Sequence, residues 1–411
     1  MYLELSDDLR DYRDRVRRHI EANRPQMDRL PGTRSPKPAD LPAYRAWCAS
    51  LFSAGFIGAE WPTEWGGRND HNALQDFVLD TELAHARTPR PIGAYNLVAG
   101  ALLAYGTPAQ QQCYLPRIRR FDDLWCQLFS EPEAGSDLAS LRTKGALDGD
   151  VWRVSGQKVW STHAHIADLG FLLARTDPGA AKHDGISAFI VDMRSPGICV
   201  RPLRELTGSS DFNEVFFDDV AVPSANMIGA PGQGWTIART ALSHERSQSQ
   251  REDSIADAVR RLAQLASSGM PGGNPALADT RSDVRRQIGA FFARAQVSDL
   301  LGFKGLLKAA YGVADVGDSP VAKVVFTEAN LEIAEYALSL QGSRGVLMAD
   351  DTEGLDGGKW QDAYLWARGF TISAGSNEIM RNLIAERSLR LPRDPAAADR
   401  SSHPPQPMTK G

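Results

Sequence analysis

No uninterrupted apolar stretch in the 411 residues is long enough to cross a bilayer, so the chain is expected to have no helical membrane span. Cysteine is scarce. Cys48, Cys113, Cys126 and Cys199 lie far apart with no CxxC pair, which argues against a disulfide framework or a thiolate metal site and for reduced thiols in a cytoplasmic protein. There is no excess of basic charge either: 46 Lys and Arg face 51 Asp and Glu, for a net charge of -5. Nothing here resembles the basic footprint of a nucleic-acid-binding surface. The opening "MYLELSDDLRDYRDRVRRHIEANRP" is a charged amphipathic helix without the apolar centre of a secretion signal, and no internal repeat is visible. What remains is an ordinary globular composition, 42% hydrophobic and 24% charged, with length for two or three domains and a sizeable core.

The hydrophobic period divides the chain. Residues 1–123 read as helices: "DLRDYRDRVRRHIEAN", "AYRAWCASLFSAGF", "HNALQDFVLDTELAHA" and "AYNLVAGALLAYG", with Gly and Pro between them. Over 124–232 the pattern turns to short β-branched and aromatic runs, "DVWRVSGQKVWST", "DLGFLLARTD", "ISAFIVDM", "GICVRPL" and "NEVFFDDVAVP". These predict antiparallel strands of a barrel or sandwich. Helical periodicity returns over 233–393, and the tail 394–411 is too rich in Pro, Ala and Ser to pack.

Four stretches carry the chemistry. They are "EWPTEWGG" with "YGTPAQQQCYLPRI", "CQLFSEPEAGSDLASLRTKG" with "VSGQKVWST", "FNEVFFDDVAVP" running on to "ALSHER", and "SAGSNEIMRNLIAERSL". In order and spacing they resemble the acyl-CoA dehydrogenase family, over nearly the whole chain to about residue 393. That resemblance implies an α+β fold: an N-terminal helical domain, a middle antiparallel β-barrel or sandwich, and a C-terminal four-helix bundle. It also implies FAD. By the same resemblance Gln127, Phe129, Ser130 and Ser136 line the flavin or the thioester end of the substrate. Trp160 and Thr162, expected on the strand that follows, stand beside the ring. Gly342 and Ser343 of "LQGSRG", with Ser376 and Glu378, hold the nucleotide half. The turn "EPEAGSD" suits such a role on its own terms, because small residues let backbone N–H groups approach a ligand closely. Taken alone, Trp160 reads more readily as a core aromatic, and 133–136 as a plain turn.

One residue departs from the family pattern. A glutamate that removes the substrate α-proton usually stands directly before the Gly-Ser/Thr pair, and here that position is Ala374. A minority of the family carries its glutamate on an earlier helix, directly before an arginine, and Glu245–Arg246 occupies the matching place. Trp235, Ala238, Leu242 and Glu245 are spaced 3, 4 and 3, which puts the carboxylate on an otherwise apolar helical stripe. Burial there would raise its pKa toward neutrality; the plain alternative is an ion pair. The family resemblance implies Glu245 as base, Arg246 and Ser136 against the substrate, and the Ala374 backbone N–H polarising the thioester carbonyl. Relatives with the moved base often take branched or bulky acyl groups.

The expected reaction is therefore α,β-dehydrogenation of an acyl-CoA or acyl-carrier thioester, with the β-hydride passing to flavin N5 and electrons leaving to an electron-transfer flavoprotein. A homodimer, a homotetramer or a heteromer with a related subunit is implied. A same-fold flavin monooxygenase or oxidase, or a non-catalytic partner subunit, are the alternatives. The family's "RxxFG" arginine has no clear counterpart; Arg281, Arg285 and Arg286 are candidates. His163 and His165 form an HxH pair without further ligands nearby and read as polar loop histidines. "ADDTEGLDGG" reads as a solvated loop.

Overall fold

The computed structural model describes residues 5–27, 34–249, 255–267, 281–313, 315–348 and 351–392, with side chains at 243–249, 281, 309 and 310 outside that description. The proposed tail at 394–411 also lies outside the described residues.

Among the described residues five helices come first: α1 (Asp7–Asn23), α2 (Leu41–Ser53), α3 (Ala73–His85), α4 (Tyr95–Tyr105) and α5 (Pro108–Arg119). The first is amphipathic, burying Tyr12, Val16 and Ile20 at four-residue spacing. The last begins with a capping box between Thr107 and Gln110, and Pro108 follows the cap, where its missing N–H costs nothing. Gln110 Nε2 then donates to the carbonyls of Ala225 (2.8 Å) and Met227 (2.7 Å), tying this helix to the end of the β region.

Eight strands follow: β1 (Trp125–Leu128), β2 (Lys144–Asp148), β3 (Val151–Lys158), β4 (Leu169–Arg175), β5 (Ile186–Asp192), β6 (Ile198–Pro202), β7 (Asn213–Pro223) and β8 (Met227–Ile228). They form one sheet of order β6-β7-β3-β2-β4-β5-β8, with β1 beside β4. Most pairs are antiparallel, but β1–β4 and the single β2–β4 pairing are parallel. Strands β4 and β5 are buried on both faces. Leu169, Phe171, Leu173, Ile186, Ala188 and Ile190 join the core of the N-terminal helices. The alternate residues Leu172, Ala174, Phe189 and Val191 join a second core. Double burial explains why these strands read as continuous apolar runs rather than as alternation.

The remaining chain is helical: α6 (Gly234–Ser249), α7 (Ile255–Ser267), α8 (Arg281–Ala310), α9 (Asp318–Gln341), α10 (Lys359–Ile372) and α11 (Asn377–Leu383). Ile237, Ala238 and Ala241 of α6 belong to the first core, with Trp235 and Leu242 packed against it. A third core is built from α7–α10 around Val259, Leu262, Phe291, Phe326, Ile333 and Trp360. Among the described residues no helix is long and apolar enough to cross a membrane.

Candidate active site

Strand β1 delivers Gln127 and, just past its end, Phe129. Gln127 sits opposite Phe171 of β4, and the buried Phe129 ring meets Phe171 edge-on at 5.1 Å. Beyond it the chain enters the small-residue turn, which two buried charges hold. Lys158, at the end of β3, donates from Nζ to the Phe129 carbonyl (3.0 Å) and to Glu131 Oε1 (2.8 Å). The Glu131 carboxylate also accepts from the backbone N–H groups of Arg142 (2.6 Å) and Thr143 (2.9 Å). Val159 N donates to the Ser130 carbonyl at 2.9 Å, so Ser130 is fixed between these anchors. Burial pushes the Lys158 ammonium down to about 8 against the pull of Glu131. Burial would raise Glu131, but the Lys158 charge and the bonds from Lys158, Thr143 and Arg142 leave it below the ordinary range.

Trp160 and Thr162 do not lie on a strand, as the sequence reading had them. β3 ends at Lys158, and Trp160 has φ +59°, a left-handed conformation that breaks the extended run. The chain is then recaptured by Ser161 N and His163 N, which donate to the carbonyls of Asn213 and Asp211. As a result the Trp160 indole is 61% exposed, steadied edge-on by Phe212 at 6.0 Å. Phe212 stacks on Trp366 of α10 (5.8 Å), which meets Phe370 edge-on at 5.9 Å. This aromatic series links the sheet to the helix that leads into Ala374. Thr162 is half-buried and Ser136 exposed.

After α10 the chain turns through Ala374 (φ +53°) and Gly375 (φ +89°). Ser376 caps α11, its Oγ accepting from Ile379 N at 3.3 Å. Glu378 is exposed, and its own N–H and the Ser376 hydroxyl hold its carboxyl below the usual range. Lys323 of α9 reaches the same turn, donating to the Gly375 carbonyl at 3.0 Å and to Asn377 Oδ1 at 2.7 Å. Gly342 and Ser343 are placed elsewhere. They follow α9 in a 3-10 turn, about 28 Å along the helix from Lys323 at 1.5 Å per residue. Within one chain the aromatic series joins Trp160, beyond the end of β3, to α10, whereas Gly342 and Ser343 stand at the far end of α9 from Lys323.

Glu245 and Arg246 fall within the helical backbone of α6, but their side chains lie outside the described residues. So does the Arg281 side chain, whereas Arg285 and Arg286 are exposed at the start of α8 and Arg286 pairs with Asp283. His163 is buried with φ +63°, and His165 Nδ1 meets Asn213 Nδ2 at 3.2 Å. Among the described residues no group of three or more His, Cys, Asp or Glu could hold a metal. Sequence reasoning passed over Lys158, Glu131, Phe212, Trp366 and Lys323. Glu131 opens "EPEAGSD", Lys158 lies in "VSGQKVWST" and Phe212 opens "FNEVFFDDVAVP", so these three carried a motif signal, whereas Trp366 and Lys323 carried none.

These residues fit a flavin. Trp160 offers an open aromatic face of the kind that packs on a planar ring. A Cβ added at Gly135 would meet nothing within 4 Å, so the turn leaves its backbone approachable. Gln341 Nε2, next to Gly342, is buried without a hydrogen-bond partner, a polar group that a ligand could satisfy.

Comparison with known proteins agrees. Family profiles described as the N-terminal, middle and C-terminal domains of acyl-CoA dehydrogenase match residues 6–122, 126–220 and 232–389. The chain is 38% identical over 354 residues to "Acyl-CoA dehydrogenase IpdE1" of Mycobacterium tuberculosis, covering 85% of this chain and 88% of that protein. It is 33% identical to "Acyl-CoA dehydrogenase FadE29" of the same organism, over 96% of this chain and 100% of the relative. Among solved structures, the ChsE4-ChsE5 complex of Mycobacterium tuberculosis superposes with a TM-score of 0.79 at 28% identity, over 96% of this chain and 100% of that one. A complex described as the Tcur3481-Tcur3483 steroid ACAD gives 0.79 at 26% identity, again over 96% and 100%. The chain belongs to the acyl-CoA dehydrogenase family of FAD-dependent oxidoreductases.

Proposed function

We propose that the chain dehydrogenates a bulky acyl-CoA thioester between its α and β carbons, with Glu245 as the base. The observation that carries this reading is the turn at Ala374. Its side chain is a methyl group, and its backbone N–H is not taken up by any described residue. The turn therefore offers a donor for the thioester oxygen but no group to accept a proton. Glu245 supplies the missing carboxylate: it stands three residues beyond Leu242 on a helix whose Trp235, Ala238 and Leu242 face the core, and helical register carries 245 onto the same side. Arg246 and Ser136 orient the substrate, while Ser130, Trp160 and Thr162 bound the flavin. When bound, FAD supplies the hydride acceptor at N5.

The methyl at 374 leaves room where the usual glutamate would stand, and the similarity to a complex described as a steroid ACAD favours a polycyclic acyl group. Electrons would leave to an electron-transfer flavoprotein in the cytoplasm. Gly342, Ser343, Ser376 and Glu378 serve the nucleotide half, the first two toward the flavin of a neighbouring subunit. Exposed apolar side chains on the C-terminal region, among them Phe292, Leu300, Tyr311 and Ile372, favour such an assembly, as does the likeness to a complex of ChsE4 with ChsE5. The functional division of the chain falls near residues 123 and 233.

Anaerobic titration of the flavin-loaded protein with straight, branched, steroid-like and carrier-bound thioesters tests this. Bleaching of the flavin by a bulky CoA thioester is the expected result. No bleaching by any thioester, with oxygen uptake by the reduced flavin instead, would favour an oxidase or monooxygenase. A colourless chain that gains FAD only with a companion would make it a partner subunit.

A further inference from the structure

A lysine is seldom enclosed without a carboxylate in hydrogen-bond range, because removing its charge from water is costly. Lys323 is 6% exposed, yet its three described acceptors are all neutral: the carbonyls of Thr371 (3.4 Å) and Gly375 (3.0 Å) and Asn377 Oδ1 (2.7 Å). Three donors meet three acceptors. The first acceptor belongs to the last turn of α10, where a cation complements the helix dipole, and the last belongs to the start of α11. The ammonium thus joins two helices across the turn at Ala374.

Asn377 is itself held, accepting from Thr327 Oγ1 at 3.1 Å and donating to Glu328 Oε1 at 3.3 Å. Glu328 is paired with Arg381. On the other side of the turn, Ser373 N donates to the Gly369 carbonyl at 2.8 Å. Both flanks of Ala374 and Gly375 are therefore tied down, although both residues have positive φ, which an alanine adopts only under constraint. The anchored element leaves the Ala374 N–H unclaimed by any described residue.

We propose that Lys323 is a positioning residue for the reaction: from beneath the turn it fixes the Ala374–Gly375 backbone so that the Ala374 N–H points at the thioester oxygen. The proposal rests on the function proposed above, because it takes that N–H to be the carbonyl-polarising donor. Its charge, and not only its bulk, matters, since the acceptors it gathers are carbonyl oxygens that would otherwise repel one another.

Lys323→Met keeps the side chain's reach to Cε and removes all three donors; Lys323→Gln restores two N–H donors without the charge. Thermal melting and flavin content are measured for each. The limiting rate of anaerobic flavin reduction is then separated from the thioester Kd, and amide exchange over residues 371–380 is followed in the flavin-free protein. Lys323→Met is expected to fold and to bind thioester within about threefold of wild type, but to reduce its flavin about 10–10²-fold more slowly, as a misplaced donor should. Exchange at the turn should quicken while the rest of the chain is unchanged, and Lys323→Gln should regain part of both. A reduction rate within about twofold of wild type would overturn the proposal, as would a rate loss fully matched by loss of flavin or of fold. Should wild type itself not be bleached by any thioester, the function reading fails, and unchanged exchange in Lys323→Met would then refute the anchor separately.

Discussion

Replacing Lys158 by methionine attacks the anchor beneath the small-residue turn that Glu131 opens. The ammonium is fully buried, and the Glu131 carboxylate is 7% exposed. Removing the cation leaves a buried carboxylate with only the Arg142 and Thr143 N–H groups as described donors, and leaves the Phe129 carbonyl without its bond. Breaking a buried pair from one side costs about 3–5 kcal/mol, which for a chain of this size unfolding as one unit lowers the melting temperature by roughly 3–6 °C. Removing both charges, as Lys158→Met with Glu131→Leu, should cost less than the sum of the single changes. The coupling should be about 1–3 kcal/mol. The pH dependence has a definite sign. Lys158 titrates at about 8 in the folded chain, below its ordinary 10.5. Between those values the unfolded chain binds the extra proton, so folding strengthens as pH rises. Lys158→Met lacks this gain, and its deficit should widen by up to about 1.4 kcal/mol per pH unit above pH 8. Denaturant melts of the four proteins at pH 7, 8 and 9.5 supply the cycle. Additive single losses, or a deficit that narrows with pH, would refute the anchor.

Two further changes separate cofactor binding from folding. Trp160→Ala removes a mostly exposed indole with one edge contact to Phe212. It should cost no more than about 1.5 kcal/mol of stability, yet weaken FAD binding at least about tenfold, which equilibrium dialysis reads directly; unchanged affinity would place the flavin elsewhere. Gly67→Ala puts a Cβ 1.6 Å from the Trp61 carbonyl oxygen, so the "EWPTEWGG" turn must open. A loss of about 2–4 kcal/mol in a melt is expected, and a neutral result would mean the turn differs.

How much of this could be read from the sequence depended on whether a residue's environment was local. The stripe Trp235, Ala238 and Leu242 needs only helical period, and all three pack on the first core as that spacing implies. Strands β4 and β5 were legible because burial on both faces makes an unbroken apolar run. The four-residue β1 and two-residue β8 are too short to show a period, and the parallel β1–β4 contact is a matter of topology that no local pattern records. Trp160 looked like a strand residue because its neighbours alternate; its left-handed backbone is imposed by the carbonyls of Asn213 and Asp211, some fifty residues on. Lys158 and Lys323 were invisible for a plainer reason. Lysine in an amphipathic element reads as solvated, and only the folded chain brings the acceptors that allow its burial.

The central claim is that the proton leaves through Glu245 on α6 rather than through the residue before Gly375. Glu245→Gln, loaded with FAD and mixed anaerobically with a thioester that bleaches the wild type, tests it most directly. Bleaching should slow by about 10²–10⁴-fold, with flavin content and thioester Kd unchanged. Bleaching at the wild-type rate would contradict the account and require another base beside the flavin.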